Sequence, residues 1–215
     1  MADIEKGYFE VDEDIKQNKV EDILMPGESI LVRLNPDRKT YVLETLFKGL
    51  PLALVWALFD GFFIFMMIKF NVAREIGGWF IAFMIFFFGI HLIPVWMYIA
   101  RLIKKLAEYK NLEYVFTDKR IIIRSGVIGI DFKSILYEEV QATTVSVGIF
   151  DRIFKVGDVY IKTESQTGII QDIKAPYHYA TKIQKITQDI KADINYPNDL
   201  RPEENHGYKT KYKND

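Results

Sequence analysis

Several residue types that usually carry chemistry are absent or rare in this chain of 215 residues. It has no cysteine, which excludes disulfides and cysteine-ligated metal sites. Its three histidines, His91, His178 and His206, are far apart, and neither a phosphate-binding glycine loop nor a nucleophile–base pattern accompanies them. We therefore predict no catalytic, cofactor or metal site. The net charge of −1 provides no general attraction for nucleic acid, which we do not expect as a partner.

Charged residues are also scarce in two long apolar runs, Gly49–Ile68 and Gly77–Ala100. The first run contains one charge, Asp60, and the second contains one histidine, His91. A helix needs about 20 consecutive apolar residues to cross the core of a bilayer, and both runs reach that length. The sequence therefore predicts a two-span transmembrane hairpin, with a kink at Pro94 near the end of the second span.

The basic residues around the two runs predict the orientation of the hairpin. Four lysine or arginine residues lie before the first run within residues 33–48, and four follow the second within residues 101–110. The connecting segment carries two, Lys69 and Arg74. Because basic residues favour the cytoplasmic side, we expect a multi-pass protein of the cell membrane with both termini in the cytoplasm. Residues 1–25 lack the pattern of a cleavable signal, so the first span would direct insertion.

Small and ionisable residues within the runs are candidate contacts in the membrane. Ala53, Ala57 and Gly61 recur every four residues, a spacing that lets a helix approach the second span or another subunit closely, unless it reflects composition alone. Asp60 lies roughly 12 Å and His91 roughly 21 Å from the outer ends of their runs, so they should not pair unless the helices shift or tilt. We favour a protonated Asp60 and a neutral His91, hydrogen-bonded within the bundle, over a proton relay.

After Leu112 the apolar pattern changes from a helical period to short strands. The segments LEYVFT, RIIIRS, GVIGIDFKSI, VQATTVSV, VGDVYIKTES and GIIQDIKA are rich in β-branched and aromatic residues and are separated by turn residues. They predict an antiparallel sheet, sandwich or partly open barrel. A short helical turn lies in GIFDRIFKVGD, and an amphipathic helix begins at Pro176. Residues 196–215 are polar and predict a disordered tail.

Three segments of this region form an ordered set: YVFTDKRIIIRSGVIG, ILYEEVQATTVSVGIFDRIFKVGDVYIKTES and IKAPYHYATKIQKI. Together with GESILVRLNP before the first run, their order resembles that of the membrane-anchored bacterial pleckstrin-homology (PH)-like family over residues 27–191. The resemblance implies a PH-like antiparallel β-barrel or sandwich capped by a C-terminal helix, and it implies no known activity. The positions that match the family pattern are Tyr114, Thr117, Asp118, Arg120, Gly126, Arg152, Phe154, Val156, Gly157 and Pro176.

These patterns predict a membrane α-hairpin joined to a mainly-β domain. The predicted segments are an acidic polar region 1–26, a candidate strand region 27–48, the two-span hairpin 49–100, the PH-like domain with its C-terminal helix 101–195, and the tail 196–215.

The first hairpin of the predicted domain carries a cluster of basic residues. Lys119, Arg120 and Arg124 are candidate contacts for an anionic ligand or lipid headgroup, and alternation along the strand places Arg120 and Arg124 on one face. Asp118 and Asp131 weaken the positive charge, so general electrostatic docking or simple solvation is the favoured alternative.

The helical turn carries four large apolar residues, Ile149, Phe150, Ile153 and Phe154. A small barrel needs side chains to fill its interior, so we expect these residues to pack in the core, with a partner groove as the alternative.

The function predicted from the sequence is binding without catalysis. A membrane-anchored PH-like module would dock a protein or an anionic lipid at the cytoplasmic face, with membrane lipids and an unidentified protein as its partners. The alternative is a structural subunit of a larger membrane complex, including a homo-oligomer, assembled through the transmembrane helices. A small transporter or membrane enzyme is the third hypothesis.

Overall fold

The structure, a computed structural model, describes residues 18–72 and 77–195, and the predictions for residues 1–17 and for the tail 196–215 lie outside them. The helices are α1 (Arg38–Lys69), α2 (Gly78–His91), α3 (Ile93–Tyr109), α4 (Ile149–Phe154) and α5 (Pro176–Asn195). The strands are β1 (Ile30–Leu34), β2 (Glu113–Thr117), β3 (Arg120–Ser125), β4 (Asp131–Leu136), β5 (Ala142–Ser146), β6 (Val156–Lys162) and β7 (Thr167–Lys174). Short 3₁₀ helices span Val20–Ile23 and Tyr137–Glu139.

Helix α1 has 32 residues and is the one described helix that is long and apolar enough to cross a membrane by itself. Its N-terminus is capped by Asp37, whose Oδ1 accepts hydrogen bonds from the backbone N–H groups of Lys39 and Thr40 at 3.0 and 3.2 Å. Helices α2 and α3 reach the required length only as a pair, and they are bent by 48° at a break where Leu92 lies. Pro94 occupies the first turn of α3, so the predicted kink is present, whereas the second span is not confirmed.

Two antiparallel sheets follow from the strand pattern. The first has the order β1-β2-β3-β4 and the second the order β5-β6-β7. Since β1 precedes α1 and pairs with β2, which follows α3, the three long helices are inserted between two neighbouring strands of one sheet. No strand pairing joins the two sheets within the described residues, so the predicted closed barrel is not confirmed.

One hydrophobic core lies between the sheets and α5. It contains Tyr114 and Ile121 of the first sheet, Ile161 of the second, and Ile183 of α5, all fully buried. The two sheets approach closely at Gly168, where an added Cβ would lie 2.2 Å from Cδ1 of an isoleucine on β4. A larger residue there would force this methyl group to move within a densely packed core.

The prediction that all four apolar residues of α4 fill the core is wrong. Ile149 and Ile153 are 80% and 67% exposed. Phe150 stacks on Phe47 of α1, with ring centroids 5.3 Å apart, and Phe154 is half-buried. The reason is that the two sheets and α5 already fill the core, so α4 lies outside it beside α1.

Candidate functional site

Arg120 of the predicted basic cluster is buried in an ion pair. Its Nε and Nη2 donate to the two carboxylate oxygens of Glu28, each at 3.0 Å. Nη2 also donates to the backbone oxygen of Ile23 at 2.6 Å, and Nη1 donates to Ser134 Oγ at 3.2 Å. A guanidinium bound in this bidentate manner is held in one geometry and turned away from solvent.

Glu28 is held in its charged form by the same contacts. Burial opposes its ionisation, but hydrogen bonds from Arg120, from the backbone N–H of Met25 and from the Thr117 hydroxyl together lower its pKa below the usual value. The pair therefore ties the segment before β1 to the first sheet.

A second group of charges lies at the edge of the same face. Arg33 donates to Glu113 Oε1 at 3.0 Å and also contacts Glu21. Arg124 lies beside Glu113, with 3.9 Å between Nη1 and Oε2. Each arginine of this face thus lies close to a carboxylate, and the charges largely cancel.

The segment before β1 also covers the face with apolar contacts. Val20 is buried against Val115 and Ile122 of the first sheet. Lys119 extends toward this segment as well, with its Nζ 3.4 Å from the backbone oxygen of Pro26. The three predicted cations therefore do not form one open surface. Contact with an anionic lipid stays a prediction, and its use of Arg120 would require Glu28 to move away.

An apolar groove opens between β1 and α5. Leu31 is 51% exposed, and Val32 beside it is partly exposed on the same strand. Phe116, Tyr137 and Ile183 are buried and form the floor. The groove has a volume of about 200 Å³. The remaining lining residues are His178, Tyr179, Lys182 and Ile186 of α5.

The edges of the groove differ in chemistry. On one side β1 is an edge strand, which pairs with β2 and with no other described strand. An edge strand presents unpaired backbone groups to an added chain. On the other side His178 and Lys182 are exposed on α5, and Tyr179 stacks on Phe116 at 5.8 Å. This combination suits an extended peptide with apolar side chains and an acidic residue.

The sequence analysis missed this groove. Its lining residues come mainly from β1, β2 and α5. The strand β1 lies at the edge because it pairs with β2, for example Arg33 with Val115, although three helices separate these strands in the sequence. The local signal was the apolar segment GESILVRLNP, which indicates a strand but not which of its sides stays open.

Asp60 and His91 meet, which the sequence analysis expected only if the helices were shifted or tilted. His91 Nδ1 is 2.8 Å from Asp60 Oδ1, and the Asp60 side chain is 1% exposed. Oδ2 of Asp60 has no hydrogen-bond partner among the described residues. Phe87 and Trp56 stack on the His91 ring at 5.2 and 5.8 Å. Helices α1 and α2 are shifted along each other, so that Phe63 also contacts Phe88 with ring centroids 5.9 Å apart, and this shift brings Asp60 and His91 to the same level.

The predicted stripe of small residues is divided between two environments. Ala53 is buried, whereas Ala57 and Gly61 are exposed. Asp60, about two helical turns after Ala53, is also buried. An added Cβ at Gly61 would meet nothing within 4 Å in the described part of the chain. Contact with the second helical segment therefore does not use the whole stripe.

A different glycine makes the close contact between the long helices. An added Cβ at Gly49 would lie 2.6 Å from Cδ2 of Tyr98 on α3. The Tyr98 ring is fixed there because its hydroxyl donates to the backbone oxygen of Leu46 at 3.0 Å. Helices α1 and α3 thus pack closely where the first apolar run begins.

Asp172 joins the long helices to the second sheet. Its backbone has φ of 52°, its carbonyl accepts from the Asp37 N–H at 2.8 Å, and its N–H donates to Asp158 Oδ1 at 2.9 Å. The side chain is 2% exposed, and burial together with nearby carboxylates, Asp158 first among them, raises its pKa to about 7. Lys105 of α3 lies nearby, with Nζ 3.6 Å from the centroid of the Tyr41 ring.

This junction brings the carboxylates of Asp158 and Asp172 close together. Within residues 18–72 and 77–195, no three histidine, cysteine, aspartate or glutamate side chains are grouped so that they could hold a metal ion.

Two antiparallel sheets followed by a C-terminal helix agree with the predicted PH-like architecture, apart from the closed barrel. The sequence profile of the bacterial PH domain family matches residues 52–194, from within α1 to within α5, and the chain belongs to this family. The predicted resemblance to a PH-like family is thereby confirmed. No curated protein and no solved structure matches the chain significantly.

Proposed function

We propose that this protein is a membrane-anchored, non-catalytic binding module that docks an extended segment of a protein partner at the cytoplasmic face. The groove between β1 and α5 is the observation that carries this proposal. Exposed apolar side chains and an open strand edge occur together there.

The anchoring part of the proposal rests on the helices. α1 is long and apolar enough to cross a membrane, and the basic residues that flank the two apolar runs favour cytoplasmic termini. The connections between helices and sheet are short, since Asp37 caps α1 three residues after the end of β1, and β2 begins four residues after the end of α3. A ligand in the groove would therefore be held at a fixed short distance from the bilayer.

The groove favours protein over lipid as the occupant. Backbone groups of β1 supply hydrogen bonds that a peptide backbone matches, and the apolar floor accepts alternate side chains of an added strand. Lys182 on the opposite side would pair with an acidic residue of the partner. The basic hairpin offers less to a phosphorylated headgroup, because Arg120 is already bound to Glu28.

Photocrosslinking in native membranes tests this function. A photoreactive amino acid placed at Leu31 or Lys182 should yield a protein adduct, with the crosslinked residues in one short segment of the partner. The matched control positions are Ile128, which is fully exposed on the β3–β4 connection, and Lys185, which is exposed on α5 outside the groove.

Loss of the adduct in a groove variant shows that the trapped protein occupies the groove. The adduct at Lys182 should disappear in Leu31→Glu and persist in Ile128→Glu. A lipid adduct alone, or an adduct that is unaffected by Leu31→Glu, would contradict the proposal.

A second candidate function is a structural subunit assembled through its helices. Ala57 and Gly61 favour it, because they leave small, exposed side-chain positions on α1 where another helix could approach.

A further inference from the structure

Helix α4 exposes two large aliphatic side chains on one side. Ile149 and Ile153 are four residues apart, so they lie on the same face of the helix, and both are largely exposed. Neighbouring apolar side chains that stay exposed indicate a surface that contacts another apolar phase or partner. Here the surface belongs to a helix of only six residues.

The position of α4 relative to α1 indicates what its exposed isoleucines contact. Phe150 stacks on Phe47 with an interplanar angle of 14°, and Phe47 is itself exposed on α1. Phe47 comes two residues before Gly49, where the first apolar run begins. The exposed face of α4 is therefore next to the end of α1 at which the proposed span would leave the bilayer.

The exposed charged residues on α4 and directly after it are basic. Arg152 and Lys155 are exposed, as are Arg101 and Lys104 on α3. The acidic residue of α4, Asp151, is buried, and its Oδ2 accepts from the backbone N–H of Gly148 at 2.7 Å. Basic residues near apolar side chains at a headgroup layer are attracted by anionic lipids and let the apolar groups enter the boundary.

We propose that α4 and Phe47 form a membrane foot, which inserts Ile149 and Ile153 into the headgroup–acyl boundary of the bilayer that α1 crosses. The inference rests on the proposed membrane anchoring and assigns the lipid boundary as the occupant of this surface. The foot would hold the second sheet, to which α4 is joined, against the membrane and so fix the direction in which the groove opens.

The absence of cysteine makes a direct test simple. Single cysteines replace Ile149, Ile153, Ile128 or Leu58 in the full chain, and each is labelled with a polarity-sensitive fluorophore after reconstitution into nanodiscs containing anionic lipid. Ile128 is the matched exposed isoleucine outside the foot, and Leu58 is an exposed position within the proposed span. Lipids with a nitroxide near the ester carbonyl serve as the quencher for the probes on α4 and at Ile128, and lipids with a nitroxide near the end of the acyl chain serve as the quencher for the probe at Leu58, which lies near the middle of the proposed span.

We expect the probes at Ile149 and Ile153 to emit at shorter wavelength than the probe at Ile128 and to lose at least half of their fluorescence to the nitroxide lipid. The probe at Ile128 should lose less than a tenth. Unquenched probes on α4 beside a quenched probe at Leu58 would overturn the foot and leave the anchoring intact.

Two other outcomes would contradict either the lipid contact of α4 or the membrane anchoring. A blue-shifted but unquenched probe on α4 would show that a protein partner or a second copy covers the surface, and the proposed lipid contact would be wrong. If the probe at Leu58 were also unquenched, the proposed membrane anchoring would itself fail.

Discussion

Glu28, in the segment before β1, forms a bidentate ion pair with Arg120 of β3, 92 residues later in the chain. Both side chains are almost completely buried. Breaking a buried ion pair leaves an uncompensated charge, which costs about 3–5 kcal/mol. Glu28→Gln should therefore lower the free energy of unfolding of the full chain in detergent by about that amount.

The exposed pair of Glu21 and Arg33 provides the control for this prediction. Exposed ion pairs contribute about 0–1 kcal/mol, so Glu21→Gln should change little. Equal effects of Glu21→Gln and Glu28→Gln in denaturant titrations would show that the Glu28–Arg120 pair has no special role.

Gly49 and Gly61 should respond differently to the same substitution. In Gly49→Ala, the new Cβ would press on the Tyr98 ring, which is held by its hydrogen bond to Leu46. Overpacking of this kind costs about 1–3 kcal/mol. Gly61→Ala adds its Cβ in open space and should be neutral or slightly stabilising, because alanine favours a helix. Thermal unfolding in detergent would measure both, and a larger loss at Gly61 would reverse the assignment of the close contact.

Gly61→Leu tests the structural-subunit hypothesis separately. If another copy or subunit packs on the exposed positions of α1, the added bulk should weaken helix association by roughly 1–2 kcal/mol. Sedimentation in detergent over a range of protein concentrations would show this as a shift toward the monomer. An unchanged oligomeric state would indicate that the small residues reflect composition only.

Stability should fall as the pH rises from about 4 to 7 and should change little above that. The pKa of Asp172 is raised to about 7 in the folded state, so the folded chain holds a proton that the unfolded chain releases near pH 4. Between these two pKa values only the folded chain holds the proton, so stability is lost as the pH rises toward 7, by on the order of 2–4 kcal/mol in total.

Asp172→Asn should remove most of this dependence. Asparagine tolerates the positive φ at this position and stays neutral at every pH. Denaturant unfolding at pH 5 and pH 8 would compare the variant with the parent chain. If the variant kept the full loss of stability between these pH values, Asp172 would not be the group responsible.

The orientation of the helices has its own test. Cysteines at Asn71 and Glu108 would be the only thiols in their chains. In intact cells an impermeant thiol reagent should label Asn71→Cys and not Glu108→Cys, because the basic residues around the runs favour cytoplasmic termini. Labelling of Glu108→Cys alone would mean the opposite orientation.

Local features could be predicted from the sequence, and long-range pairings could not. The strands after Leu112 and the start of α5 at Pro176 follow from alternation and turn residues within a few positions. The exposure of Ile153 could not be inferred, because an apolar side chain looks the same in sequence whether it faces a core or another surface. The burial of Arg120 was equally hidden, since its partner Glu28 lies far away in the chain.

The candidate site was hidden for the same reason. Alternation in RIIIRS correctly places Arg120 and Arg124 on one face, but it does not show that Val20 and its neighbours cover that face. The groove likewise depends on which strand forms the edge of the first sheet, and that is decided by the pairing of β1 with β2.

The insertion of the helices between β1 and β2 sets an order for synthesis. Arg33 and Glu113, which contact each other across these two strands, are 80 residues apart. During translation β1 emerges long before its partner, and it waits without hydrogen bonds while the helical segment is made. The first sheet can form completely only after α1, α2 and α3 have reached their final positions. A chain whose helices fail to insert would therefore leave β1 as an exposed, unpaired strand that chaperones and proteases recognise.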